Sequence, residues 1–213
     1  MEIGRWSARV LGYVAIPFRR LVISLSTRLS PHRQVGRVRL ADLVEDGRGM
    51  ERLVKLAAAL ETVKEVQPWR HAQLQRHLRR VLVIARGGQI YDFDIRACVL
   101  DAPFVEKQEV VALAGALVHE GVHARLSDLG IRHRTADRGR VERLTTNAQV
   151  HFLKTAGADR LAEATLAVAA MEWWSDDAML TRRVEQLKGY DVAPWVIRLY
   201  RRLSGVQDDQ KDA

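Results

Sequence analysis

The stretch from Val110 to Leu126 is apolar almost throughout, yet its centre reads His119-Glu120-Gly121-Val122-His123. On a helix, residues i and i+4 share one face. The two imidazoles then converge on a point, as two ligands of a tetrahedral metal must. Glu120, next to the first histidine, reaches the open position of such a metal and can take a proton from a water activated there. The plainer alternative is a buried helix holding two hydrogen-bonded histidines. Val111, Leu113, Ala114, Leu117 and Val118 fit either reading.

Two histidines do not complete a catalytic zinc site, which usually has three protein ligands and one open position. The metzincin spacing requires Gly at 126 and His at 129, whereas this chain has Leu126 and Leu129. Glu142 is a second choice. It opens the next helical pattern, Val141 to Lys154, beyond a polar loop from Leu129 to Arg138. That loop lets the second helix fold back along the first and bring a first-turn glutamate to the imidazoles. His133, Asp137 and His151 are the competing third ligands. His151 lies two and a half turns beyond Glu142, too far for one straight helix to present both to the same ion.

The order strand pair, HExxH helix, loop, glutamate helix resembles the gluzincin class of zinc metallopeptidases. The matching residues are His119, Glu120, His123 and Glu142, and the resemblance spans Val81 to Lys154. It implies a mostly helical α+β, zincin-like fold. A small β-hairpin or sheet would precede an HExxH active-site helix and a Glu-bearing helix. It also implies one Zn2+ per chain, held by His119, His123 and Glu142, with Glu120 as general base in peptide hydrolysis. An edge strand from Tyr91 to Val99 would bind extended substrate, with Tyr91, Phe93 and Ile95 along it. Tyr190, His151 and His133 are the candidates for an oxyanion donor. Asp176 or Asp177 could hold the outer N–H of a ligating imidazole. No GxMEN-type motif precedes the helix, so the aminopeptidase branch is not indicated.

Elsewhere, local pattern sets the organisation. Met50 to Val66 carries Leu53, Leu56, Ala57, Leu60 and Val63 at helical spacing, and Pro68 ends it. Arg70 to Arg80 reads as a short basic helix. Val81 to Ala85 and Gln89 to Ala97 read as two strands joined at Gly87-Gly88. Ala158 to Trp174 is a further, alanine-rich helix. Three regions are expected: a basic apolar segment over 1–35, with Ser30 to Gly36 as linker; a zincin-like domain over 36–205; and a disordered tail over 206–213.

The net charge of +8 favours anionic partners. Residues 6–29 combine Trp6, Tyr13 and Phe18 with four arginines, and Arg5 directly precedes them, a pattern for peripheral membrane association. The longest uncharged run there, Val10 to Phe18, is too short to span a bilayer. No aromatic RNA-binding motif or zinc-finger spacing supports a nucleic-acid partner. The single cysteine, Cys98, reads as a small core residue. Its solitude fits a reducing, cytoplasmic setting. Two rival functions stay open: a catalytically inactive zincin-like domain, and a basic module that binds membrane or nucleic acid.

Overall fold

The computed structural model describes residues 27–86, 88–131 and 137–170. The expectations placed on residues 1–26, on His133, on Tyr190, on Asp176 and Asp177, and on the 206–213 tail lie outside these residues. The architecture is α+β and mostly helical, with one five-stranded mixed sheet. The strands are β1 (His32–Val35), β2 (Val38–Asp42), β3 (Arg80–Ile84), β4 (Ile90–Asp92) and β5 (Ala97–Asp101). The helices are α1 (Gly49–Val66), α2 (Pro68–His77), α3 (Ala102–Lys107), α4 (Val110–Asp128), α5 (Arg138–Thr155) and α6 (Asp159–Ala170). Among the described residues, no helix is long and apolar enough to cross a membrane.

The sheet order is β1-β2-β3-β5-β4. The two outer pairs are antiparallel, while β2, β3 and β5 run parallel. Leu40, Val81, Cys98 and Tyr91 stand in register across four strands, and all are buried. They belong to the main core, together with Leu113, Ala114, Leu117 and Val118 of α4. The alternate positions Ala41, Leu82 and Val99 form a smaller cluster on the opposite face. Cys98 is thus a core residue, as expected.

Three expectations are corrected. Ser30 to Gly36 is not a linker: His32–Val35 is an edge strand, and Gly36 turns the chain into β2 with φ +57°. Gly87-Gly88 does not join a two-stranded hairpin, because β3 pairs with β5 in parallel and the chain passes over to β4 first. Gln89 to Ala97 is not one strand either. Asp92 Oδ1 accepts hydrogen bonds from the backbone N–H groups of Asp94 and Ile95, at 3.0 and 3.2 Å. This side-chain turn ends β4 after three residues and outweighs the alternating apolar pattern. Arg96 completes the reversal at φ +52°.

Helix ends follow from local chemistry. Pro68, which stops α1, also starts α2, since a first-turn proline lacks only an N–H that would be unpaired anyway. Asp101 caps α3 by accepting from the Phe104 N–H at 2.8 Å. Lys107 ends α3, and Gln108 stands extended before α4 begins at Val110.

A buried arginine clamps this frame. Arg52 of α1, 2% exposed, bonds Asp42 of β2 through Nε at 2.6 Å. Its Nη2 and Nη1 reach Asp46 and Glu106, each at 2.6 Å. These carboxylates hold its pKa above the ordinary arginine range. Three carboxylates from separate segments therefore depend on one guanidinium. Replacing it (Arg52→Ala) should cost about 3–5 kcal/mol, since a buried charge would lose its partner. Urea unfolding of the two proteins measures the loss.

Candidate metal centre

The long helix α4 is buried without interruption from Leu113 to Gly121. A helix apolar on nearly all sides must sit inside a core. It packs against α1, α2, α5 and the sheet. Its burial carries the polar residues of the motif inside as well. His119, Glu120 and His123 are all buried, and Glu142 of α5 is buried beside them.

The helical spacing performs as expected. His119 Nε2 and His123 Nε2 are 3.1 Å apart. Glu142 Oε2 lies 3.5 Å from His119 Nε2, and Glu142 Oε1 lies 3.7 Å from His123 Nε2. Ligands at 2.0–2.1 Å from a tetrahedral ion stand roughly 3.3 Å from one another. The two imidazole nitrogens therefore stand at ligand spacing, and the Glu142 carboxylate approaches each of them with a different oxygen. His119, His123 and Glu142 form a buried group that could hold a metal ion. His119 Nδ1 and Glu120 Oε2 are buried without a hydrogen-bond partner. A donor set of two imidazoles and a carboxylate, with a second carboxylate alongside, suits a divalent cation.

Electrostatics agrees with this. Burial pushes the Glu120 carboxyl up to about 7, Glu142 adds to the push, and His119 opposes it. Burial works against a charged His119, but hydrogen bonding by Glu142 and the charges of Glu120 and Glu142 outweigh it. Its pKa is raised. Cys98 lies beneath the motif, and burial drives its thiol well up, with the Glu120 charge assisting.

Aromatic residues of the β4–β5 turn pack on one side. Phe93 meets His123 edge-on at 6.2 Å between ring centres, and Tyr91 meets Phe93 edge-on at 5.0 Å. Of the proposed substrate strand, only Tyr91 and Asp92 belong to the edge strand β4. Phe93 and Ile95 sit in the turn, and Ala97 to Val99 belong to β5, which is paired on both sides. His151 is not brought to the centre: Gln67 Nε2 contacts its Nδ1 at 2.9 Å, and Gln67 also donates to Thr155. Asp137 stands at the N-cap of α5 and is outside the ligand group.

A cleft of about 490 Å³ opens on His119 and Glu120. Ala112 and Ala116 of α4, Thr146 and Gln149 of α5, and Leu161 of α6 are among its walls. Among the described residues that line it, none carries a formal charge except the motif itself. Sequence reasoning missed Thr146 and Gln149. Their signal was present: both lie on the helix face that Glu142 defines, four and seven residues on.

No protein-family model, curated protein or solved structure matches this chain. The site therefore stands on its own geometry.

The middle of the motif also carries a packing constraint. A Cβ on Gly121 would overlap the Leu74 side chain of α2, which is 1% exposed and has little room to move. Gly121→Ala should therefore lose about 1–3 kcal/mol by overpacking, although alanine favours the helix by up to about 1 kcal/mol. Thermal unfolding should show a lowered midpoint. A raised midpoint would mean that α2 yields freely.

Proposed function

We propose that the chain is a zinc-dependent peptidase of gluzincin type. One observation carries the reading: two imidazoles and a carboxylate converge within ligand reach of one another beside the unpartnered Oε2 of Glu120. The ligand types favour zinc, which takes nitrogen and carboxylate donors in sites with one open position.

His119, His123 and Glu142 would hold the ion. Zinc, when bound, supplies an acidified water and polarises the carbonyl under attack. Glu120 accepts a proton at its free Oε2 and delivers it to the departing amine. Burial of both carboxylates keeps bulk water away from them. The cleft is lined by Glu120 and His119, and its neutral walls suit uncharged residues of a peptide. The β4 edge is short, so the cleft, more than an extended strand, would select what binds.

The purified chain should contain about one zinc by mass spectrometry, and hydrolysis of a casein-like substrate should stop with chelator. In Glu120→Gln, zinc content should hold while hydrolysis falls by about 10²–10⁴-fold, the range for a lost general base. Loss of zinc in that variant, or undiminished cleavage, would overturn the assigned role. Zinc in the wild type without cleavage of any peptide would leave the inactive zincin-like domain.

Glu142→Ala should weaken zinc by more than the roughly 10–100-fold typical of a residue outside the ligand set. Competition with a chromophoric chelator reads this directly. Unchanged affinity would assign the third ligand elsewhere.

A further inference from the structure

The ring atoms that face the ligand group are the two Nε2 atoms. His119 Nδ1 points the other way and is buried without a hydrogen-bond partner. A ligating imidazole normally donates from this outer nitrogen to an oxygen, which fixes the tautomer and aims the lone pair. The polar side chain placed to supply that oxygen is Gln149.

Three features place it there. Gln149 follows Glu142 by two helical turns on α5, so both face α4. It lines the same cleft wall as His119 and Glu120. Its Cγ stands 3.5 Å from where a Cβ on Gly115 would be. Gly115 is one turn before His119, and helical side chains lean toward the N-terminus, so the His119 ring lies over this glycine. The missing side chain at 115 is what admits Gln149 to the ring.

We infer that Gln149 is the positioning residue of the centre: its amide oxygen accepts from His119 Nδ1–H and keeps Nε2 bare for the metal. This rests on the zinc reading above. The acceptor is an amide, and charge explains the choice. Glu120 and Glu142 already match a divalent ion, and a third buried carboxylate would leave the cluster negative.

The test compares zinc affinity in the full chain for wild type, Gln149→Leu and Gln149→Glu, by chelator competition. Urea unfolding of the metal-free proteins runs alongside. Gln149→Leu should bind zinc about 10–100-fold more weakly, with the metal-free unfolding midpoint unchanged. Gln149→Glu keeps an oxygen acceptor and should restore wild-type affinity or exceed it. Equal affinity in Gln149→Leu and wild type would overturn the assignment while leaving the zinc site intact. So would a Gln149→Glu as weak as Gln149→Leu. Should Gln149→Leu also lower metal-free stability, the Gln149→Glu affinity decides. A wild type that binds no zinc would instead overturn the zinc reading itself, and the role of Gln149 with it.

Discussion

Two carboxylates and two imidazoles share one buried cluster, and the fold is arranged around that concentration of charge. An ionised group removed from water costs several kcal/mol unless a partner offsets it. The chain answers this in two ways. Around Arg52 it supplies both signs, and Asp42, Asp46 and Glu106 close on one guanidinium. Around His119 it supplies two carboxylates and two imidazoles, which carry charge only when protonated. There the balance must come from protons, which is why burial pushes Glu120 toward neutrality, or from a cation.

Close helix packing makes this cluster possible. Gly115 and Gly121 sit on different sides of α4, the first toward Leu153 and Gln149 of α5, the second against Leu74 of α2. The missing side chains let both neighbours approach the backbone. Gly121 thus has a packing role within a motif otherwise made of chemical groups. The Arg52 clamp acts from the far end, tying α1 to β2 and to α3, whose end leads into α4.

What could be read from the sequence was local. The face shared by His119 and His123 follows from helical periodicity alone, and so does a glutamate on the next helix facing them, although α5 begins at Arg138 and carries Glu142 in its second turn rather than its first. The sheet did not follow, because its pairings join distant segments. The parallel β3–β5 pair passes over β4, and no local pattern encodes that choice. β1 is mostly exposed and has little apolar signal to detect. From Tyr91 to Ile95 the alternation was real but misleading. Asp92 offers its carboxylate to two backbone N–H groups, and the resulting turn reverses the chain where the pattern called for a strand.

The face of α5 joins site and fold in a way no single residue reveals. Glu142, Thr146, Gln149 and Leu153 recur at steps of four and three, so all face α4. Leu153 packs on Gly115 in the core, Gln149 lines the cleft together with His119, and Glu142 meets both imidazoles. A rotation of α5 about its axis would misplace all of them together. Core packing therefore sets the ligand geometry before any ion arrives, and an ion bound between the two helices would strengthen the same contact. Because binding that favours the folded state adds to its stability, the α4–α5 contact and the affinity for such an ion would be one coupled quantity.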